Sequence, residues 1–174
     1  MIRSRPAAAP LGRRQALRLG FLAVAGLAAA ELSGLVAPFL RVTRIQGLGN
    51  PIAVGTVDEI LATFARSNDR PILNYAGRFF LLRAPGGILA AYRKCTHLGC
   101  AVPFNAAEDR FHCVCHQSVY DKRTAILLEG PAPRGLDLFH IRDEGGTLVI
   151  DTNPLNVMVR ADNHWDPAHV EIRA

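Results

Sequence analysis

Charged side chains are scarce in this 174-residue sequence, since only 20% of its residues are Asp, Glu, Lys or Arg while 49% are hydrophobic. A chain with so little charge and so much apolar content can bury a core, which excludes a wholly disordered protein. The length allows one compact domain and little more, because a second full domain would need a longer chain. The sequence also lacks internal repeats and low-complexity tracts.

Acidic residues are nearly absent from residues 1–44, which hold seven arginines and one glutamate, Glu31. Their net charge is seven minus one, or +6, whereas residues 45–174 hold 13 basic and 14 acidic side chains, a net of −1. This second part has no cluster of lysines and arginines, and a nucleic-acid-binding domain needs such a basic face. We therefore expect no nucleic-acid partner.

Residues 19–40 form an apolar run whose only charge is Glu31 and whose only other polar side chain is Ser33. As a helix, the run would be about 33 Å long, which is enough to cross the hydrocarbon core of a bilayer. Arginines without acids precede it, so the positive-inside rule predicts a cytoplasmic arm over residues 1–18. We expect one transmembrane anchor in a bacterial cytoplasmic membrane, with the rest of the chain on the periplasmic side.

Two features of the N-terminus concern export. Residues 12–18 resemble a twin-arginine signal, whose pathway moves folded proteins and so suits a domain that receives its cofactor before export. An ordinary basic flank is the alternative. Residues 28–30 are three alanines that fit a signal-peptide cleavage site. Cleavage there would leave the apolar residues 32–40 exposed at a new N-terminus, so we expect the anchor to be retained.

Residues 41–55 contain three glycines and one proline, the composition of a linker, and we expect a flexible tether there. The head domain would then span residues 56–174. It should open with a helix, because Thr56 and Glu59 form a capping box ahead of apolar residues at helical spacing. The helix is predicted to end before Asn68.

Two β-hairpins are predicted after this helix. Residues 78–83 and 88–93 are apolar-rich runs separated by a turn, and so are residues 138–142 and 147–151. The pattern contains no second convincing helix. We therefore expect the head to be mainly antiparallel β-sheet.

All four cysteines and two of the six histidines lie in two short segments, residues 95–100 and 113–118. The segments read Cys-Thr-His-Leu-Gly-Cys and Cys-Val-Cys-His-Gln-Ser. Six such donors could all bind metal, or four could bind while two cysteines pair, since an exported domain meets an oxidising compartment. A tetrahedral zinc site with two cysteines and two histidines would use the same donor types.

The two segments resemble the cluster-binding motifs of the Rieske iron-sulfur protein family. The resemblance implies a Rieske-type 2Fe-2S cluster held in a Rieske-type antiparallel β-sandwich head, with a cluster-binding subdomain over about residues 90–135. Two cysteines would bind one iron and two histidines the other, while the remaining cysteines form a disulfide. The implied ligands are Cys95, Cys113, His97 and His116, and the implied disulfide joins Cys100 to Cys115. Three residues of the motifs would tune the cluster, namely Leu98, Ser118 and Tyr120.

The resemblance continues after the second motif. Tyr120 and Asp121 complete a Ser-x-Tyr-Asp ending, and residues 130–134 are similar to the Pro-rich loop that covers the cluster in this family. By resemblance, the Ser118 hydroxyl donates to a bridging sulfide and the Tyr120 hydroxyl donates to the Cys95 sulfur. Hydrogen bonds of this kind raise the potential of a cluster.

Two positions depart from the family pattern. Val114 stands where proline is usual, and Gln117 stands where glycine is usual. Neither change removes a ligand. Glycine often occupies backbone conformations that other residues avoid, so we expect Gln117 to affect the backbone conformation beside Ser118.

The order of basic arm, anchor, tether and β head resembles the quinol-oxidising branch of the family. It implies a high-potential electron-transfer subunit of a quinol:cytochrome c oxidoreductase, working with a cytochrome b subunit, a c-type cytochrome and quinol in a dimeric multisubunit complex. His97 or His116 would take the quinol proton. Two neutral imidazoles in place of two thiolates place Rieske potentials above roughly −150 mV, against about −400 mV for plant-type ferredoxins.

Three other functions remain open at this point. The first is the Rieske small subunit of a periplasmic molybdenum oxidase such as arsenite oxidase. The second is a ferredoxin-like donor to an oxygenase, against which the export signal and the extra cysteine pair argue. The third is a zinc-stabilised binding module. His112, which flanks Cys113 outside the ligand spacing, is expected to be an ordinary strand residue.

Overall fold

The computed structural model describes residues 12–40 and 47–174, within two compact units, Met1–Arg44 and Ile45–Ala174. The described residues of the first unit form one helix, α1 (Arg13–Leu40). Its apolar side chains leave the helix on every side, which is the pattern of a lipid-facing helix and not of a surface helix with one apolar face. Residues Arg13–Pro38 are long and apolar enough to cross a membrane.

The helix begins earlier than the predicted anchor. Arg13, Arg14 and Arg18 lie within α1, because these arginines and the residues between them are good helix formers and continue the hydrogen-bonded turns. The first turn is closed by bonds from the Gln15 and Ala16 amides to the Gly12 carbonyl, at 2.8 and 3.0 Å. Residues 1–11 of the predicted cytoplasmic arm lie outside the described residues.

Over residues 47–174, the second unit contains one α-helix, α2 (Val57–Arg66), two antiparallel sheets and a short 3-10 helix (Pro167–His169). Its strands in chain order are β1 (Pro51–Gly55), β2 (Ile72–Asn74), β3 (Phe79–Ala84), β4 (Gly87–Tyr92), β5 (Phe104–Asn105), β6 (Arg110–His112), β7 (Val119–Tyr120), β8 (Leu127–Glu129), β9 (Leu138–Glu144), β10 (Thr147–Asp151) and β11 (Ile172–Arg173). The larger sheet has the order β1-β10-β9-β4-β3-β2, with β11 paired to β4. The smaller sheet has the order β5-β6-β7-β8. The prediction of a mainly antiparallel β head is confirmed.

Both predicted hairpins are present, as β3–β4 and β9–β10. The turn of the second hairpin is formed by Gly145 and Gly146, both at positive φ, 66° and 90°. A two-residue turn of this kind matches the right-handed twist of the strands, and glycine adopts it without steric cost.

The predicted helix is present as α2. The Glu59 amide donates to the Thr56 hydroxyl at 3.3 Å, and the Thr56 amide donates to the Glu59 carboxylate at 2.9 Å. This reciprocal pair is the predicted capping box. The helix ends at Arg66, shortly before Asn68 adopts a positive φ of 54°.

The larger sheet is covered on both faces. Successive residues of a strand point to opposite sides, so neighbouring residues of β3 belong to different clusters of the core. On one face, Phe79 packs with Phe64 of α2. On the other face, Phe80 packs with Phe111 and Tyr120 of the smaller sheet. The buried residues on this second face therefore join the two sheets and lie directly behind the cysteine-containing segments.

The predicted tether is corrected by the structure. Residues 51–55 form β1, an edge strand that pairs with β10. The amides of Leu48 and Gly49 donate to the carbonyls of Ala76 and Thr152, at 2.9 and 3.0 Å. The apolar side chain of Ile52 packs against the core on the α2 side, and an edge strand tolerates proline at its first position. Residues 41–46, the rest of the predicted tether, lie outside the described residues.

Candidate metal centre

Two loops carry the four cysteines and both candidate histidines. The first cluster loop, residues 95–100, follows β4. It is closed by bonds from the Cys95 amide to the Cys100 carbonyl and from the Gly99 amide to the Cys95 carbonyl, at 2.8 and 2.9 Å. The second cluster loop, residues 113–118, joins β6 to β7 and is closed in the same way, with the Cys113 amide 2.8 Å from the Ser118 carbonyl. Each loop therefore begins in the core and turns outward.

A disulfide between Cys100 and Cys115 joins the two loops, as the resemblance implies. Cys95 and Cys113 are free cysteines and both are buried. The sulfurs of Cys100, Cys113 and Cys115 lie within 4.8 Å of one another. Because two of these three sulfurs are bonded to each other, this triad is not a ligand set, and the thiols available to a metal are those of Cys95 and Cys113.

The two candidate histidines face each other from the two loops. The rings of His97 and His116 have centroids 4.7 Å apart and are nearly perpendicular, at 87°. His97 Nδ1 is buried and has no hydrogen-bond partner in the described part of the chain. An unpaired buried nitrogen costs about 1 to 3 kcal/mol, unless it binds something that is not protein. A neutral imidazole nitrogen is a common metal ligand, so the donors present fit the cluster.

The burial of the four donors differs between thiols and imidazoles. Cys95 and Cys113 are enclosed by the core, whereas His97 is half-buried and His116 is exposed. The exposed side chains of Leu98 and Val114 flank the histidines at the tips of the loops, with 71% and 69% of their surfaces exposed. The imidazole side of the site therefore faces outward between two apolar tips.

Tyr120 and Cys95 form a buried contact, with the hydroxyl 3.1 Å from the sulfur. Burial, and then the bond to Cys95, raise the pKa of Tyr120, so its hydroxyl keeps its proton and acts as the donor. Burial also raises the pKa of the Cys95 thiol, but the bond from Tyr120 and the backbone N–H of His97 oppose it, and the pKa is lowered overall. The site favours the thiolate, which is the form that binds metal.

The Pro-rich loop, residues 130–134, is tied to both cluster loops. The buried Ser118 hydroxyl accepts a bond from the Ala132 amide at 3.2 Å. The Thr96 hydroxyl donates to the Arg134 carbonyl at 2.7 Å. The contact of Thr96 was not foreseen from the sequence, although its position between Cys95 and His97 is a signal that could have drawn attention to it.

Gln117 adopts the backbone conformation that glycine takes most easily, with φ at +62°. A residue with a Cβ pays about 1 to 2 kcal/mol there. The Gln117 side chain is held by His112, whose Nε2 lies 2.7 Å from its Oε1. His112 is in turn 3.0 Å from the Glu108 carboxylate, and the bonds to Glu108 and Gln117 raise its pKa. His112 is thus a strand residue, as predicted, with a role in supporting the second cluster loop that the sequence did not reveal.

The comparisons with known proteins agree with this site. Residues 50–140, more than half of the chain, match the family described as Rieske 2Fe-2S domain. The cytochrome b6-f complex iron-sulfur subunit of Microcystis aeruginosa is 34% identical over 145 residues, which cover 75% of this chain and 78% of that subunit. The chain therefore belongs to the Rieske 2Fe-2S domain family, and its cofactor is a Rieske-type 2Fe-2S cluster. This finding decides against the zinc-stabilised binding module.

Other relatives match over shorter stretches. The cytochrome b6-f complex iron-sulfur subunit 1 of a Nostoc species is 52% identical over 56 residues, which cover 32% of this chain and 31% of that subunit. The alignment thus spans about a third of that relative's length. Among solved structures, the plasma membrane Rieske protein PetC3 of Synechocystis PCC 6803 is 26% identical, with a TM-score of 0.42, and the match covers 57% of this chain and 97% of that chain.

Proposed function

We propose that this chain is the membrane-anchored, high-potential electron-transfer subunit of a quinol:cytochrome c oxidoreductase of the cytochrome bc or b6-f type. The observation that carries the proposal is the outward-facing histidine pair, backed by two buried cysteine thiols and flanked by two exposed apolar side chains. The Microcystis relative, which is named as a subunit of a cytochrome b6-f complex, supports it over 75% of this chain. The apolar helix α1 would anchor the protein in the membrane.

We assign the buried thiols of Cys95 and Cys113 to one iron and the imidazoles of His97 and His116 to the other. The burial of the thiols and the greater exposure of the imidazoles support this division. When bound, the cluster supplies a one-electron redox couple whose potential is raised by its two neutral ligands. The buried, unpartnered Nδ1 of His97 is the nitrogen that would bind metal, which leaves its Nε2 toward the outside.

The outer nitrogens of the two histidines would receive the proton of the quinol. An imidazole that binds metal through one nitrogen can hold a proton on the other, and its affinity for that proton depends on the charge of the metal site. A quinol hydroxyl that reaches His116 or His97 can therefore give up its proton as its electron leaves. The chain's own contribution is to orient the two rings and to keep one nitrogen of each accessible.

Leu98 and Val114 would form the docking contact with the cytochrome b subunit. Large apolar side chains that are mostly exposed commonly mark a surface that binds a partner. Their position beside His97 and His116 would exclude water from the proton acceptor when the head docks. In this proposal the head then moves to a c-type cytochrome, and because the Leu48 and Gly49 amides are bonded to the head, these two residues would move with it.

We further propose that the head lies on the periplasmic side of a bacterial cytoplasmic membrane and that the complex is dimeric. The arginines that precede the apolar run of residues 19–40 support the orientation. Export through the twin-arginine pathway and retention of the N-terminal segment stay predictions of the sequence.

Redox-titrated EPR on membranes that contain the full chain tests the proposed function, with and without an inhibitor of the quinol-oxidation site. We expect a Rieske signal that is reducible by ascorbate, sediments with the membrane and changes shape with the inhibitor. Leu98→Asp should retain the signal and lose the inhibitor response. Leu155→Asp is the matched control, because Leu155 is also an exposed leucine but lies outside the two cluster loops. A signal in the soluble fraction that ignores the inhibitor would contradict the proposal and favour the periplasmic oxidase subunit.

A further inference from the structure

Arg160 is a buried arginine outside the segment that matches the family, with 2% of its surface exposed. Its guanidinium donates four hydrogen bonds, and all four go to backbone carbonyl oxygens. A buried charge is costly unless it is compensated, so a guanidinium held by carbonyl dipoles indicates a structural task that a neutral side chain does not perform. Burial lowers the pKa of Arg160 to about 10, and the side chain remains protonated at neutral pH.

The four bonds join two segments that are distant in sequence from Arg160. Nε and Nη2 donate to the Leu136 carbonyl at 2.9 and 2.6 Å, just after the Pro-rich loop. Nη1 donates to the Thr124 carbonyl at 2.8 Å, and Nη2 donates to the Ala125 carbonyl at 2.6 Å. The Ala125 carbonyl also accepts the Leu136 amide at 2.9 Å. Arg160 therefore bridges the base of the Pro-rich loop to the turn that follows β7.

This turn, residues 121–125, begins directly after Tyr120. Ala125 holds a positive φ of 52° although it has a Cβ, a conformation that persists only when its surroundings enforce it. A Cβ on Gly135 would overlap the Arg160 guanidinium and would lie 2.7 Å from the Ala125 carbonyl, so the close approach of the segments needs glycine at that position. The backbone at this junction is thus shaped around the arginine.

Both segments also lead to contacts at the metal centre, away from Arg160. The turn continues into Tyr120, whose hydroxyl meets the Cys95 sulfur at 3.1 Å. The Pro-rich loop is bonded to Thr96 in the first cluster loop and to Ser118 in the second. A side chain that fixes the junction therefore restricts both the tyrosine and the Pro-rich loop.

We propose that Arg160 is a positioning residue of the metal centre. It clamps the turn of residues 121–125 and the Pro-rich loop together, and it thereby sets the contact between Tyr120 and Cys95. The inference rests on Cys95 as a cluster ligand, and it does not depend on the proposed quinol chemistry. Its failure is therefore separable from a failure of the proposed function.

Replacing Arg160 by lysine distinguishes an effect of the four hydrogen bonds from an effect of the positive charge. A guanidinium presents its donors in a planar fork that reaches several carbonyls at once, whereas an ammonium is a compact point charge. Arg160→Lys keeps a positive charge near the site but cannot make the same four bonds. If the clamp positions Tyr120, the variant weakens the Tyr120–Cys95 bond and lowers the reduction potential.

A double-mutant cycle on the full chain with its cluster tests this inference. Midpoint potentials are measured for the unmodified protein, Arg160→Lys, Tyr120→Phe and the double variant. We expect Arg160→Lys to lower the potential in the presence of Tyr120 and to shift it by less than half as much in the Tyr120→Phe protein. An unchanged potential in Arg160→Lys, or a shift at least half as large in the Tyr120→Phe background, overturns the proposal.

Two further variants guard against a general loss of stability. Thr152→Val removes a buried hydroxyl that accepts the Gly49 amide on a different part of the head, and it should leave the potential unchanged. A fall of the potential in Thr152→Val equal to that in Arg160→Lys would overturn the specific role of Arg160. If Arg160→Lys does not accumulate, Gly135→Ala takes its place. Its added Cβ would push the guanidinium out of position without removing the arginine. The same double-mutant cycle is then run with Gly135→Ala.

Hydrogen exchange provides a readout that does not involve the cluster. The Leu136 amide, which donates to the Ala125 carbonyl, should exchange at least tenfold faster in Arg160→Lys. The Leu81 amide of the larger sheet should keep its rate in the same variant. Equal protection of the Leu136 amide in both proteins would show that Arg160 does not clamp the junction.

Discussion

The Tyr120 hydroxyl lies 3.1 Å from the Cys95 sulfur, and the core encloses both groups. The two residues are 25 positions apart in the chain, and they meet because β7 of the smaller sheet lies behind the first cluster loop. A hydroxyl that donates to a sulfur ligand withdraws electron density from the metal site and stabilises its reduced form. With Cys95 as a proposed cluster ligand, we expect the potential of the site to depend on this contact between β7 and the first cluster loop as well as on the ligands themselves.

Tyr120→Phe should retain the cluster and lower its reduction potential. If the bond is stronger by about 1.4 kcal/mol in the reduced state, the potential falls by about 60 mV. A redox titration monitored by EPR or circular dichroism measures the change. Tyr92→Phe is the control, since Tyr92 is also buried but packs with Phe139 on the α2 side of the sheet. Equal potentials in Tyr120→Phe and the unmodified protein would refute the bond's effect.

Ser118→Ala should also keep the cluster and lower the potential. The Ser118 oxygen accepts the Ala132 amide, so its own hydrogen is available to a sulfide. The variant also leaves the Ala132 amide unpaired, which costs about 1 to 3 kcal/mol of stability. Redox titration and urea unfolding measure the two effects separately. Ser67→Ala, at the end of α2, is the control and should leave the potential unchanged. An unaltered potential in Ser118→Ala would exclude a hydrogen bond from the Ser118 hydroxyl to the cluster.

His116→Ala should abolish the cluster, because one of the four proposed ligands is lost. The expected result is a protein without the visible absorption and the EPR signal of a Rieske centre, and with its iron content reduced to background. His164→Ala is the control, since His164 is an exposed histidine that lies near Asp162, outside the two cluster loops. A native Rieske spectrum in His116→Ala would remove His116 from the ligand set.

Cys100→Ser should yield a labile cluster. The disulfide to Cys115 closes a loop with a sequence separation of 15, for which the chain-entropy model gives about 3 kcal/mol. The half-life of the visible absorption in the presence of an iron chelator measures the effect, and we expect it to shorten at least tenfold. The unmodified protein should behave in the same way once its disulfide is reduced. If the absorption of Cys100→Ser in the presence of chelator lasts as long as that of the unmodified protein with its disulfide intact, the disulfide does not protect the site.

Thr56→Ala should destabilise the head without touching the metal centre. Loss of the capping box typically costs about 1 kcal/mol, and α2 packs on the face of the sheet opposite to the cluster loops. Denaturant unfolding should show the lower free energy, while the midpoint potential stays the same. A changed potential would show that the two faces of the sheet are coupled.

The elements predicted from the sequence are those whose signals are local. The capping box of Thr56 and Glu59 involves four consecutive residues, and each hairpin is signalled by two adjacent strands and a turn. The apolar run of α1 is likewise read along one segment. The tether was predicted wrongly over residues 51–55, because their glycine and proline content resembles a linker whereas their pairing partner, β10, lies about a hundred residues away.

The sequence alone contains the donors of the site, four cysteines and two histidines at fixed offsets, and their resemblance to the Rieske motifs implied which of them bind the cluster and which form the disulfide. Only the tertiary structure decided how that set is supported. His112 beside Gln117, Thr96 on the Pro-rich loop and Arg160 beneath it are contacts made across the fold. Arg160 has no local pattern that marks it, since its role arises from carbonyls 24 to 36 residues away that converge only after the two sheets have packed.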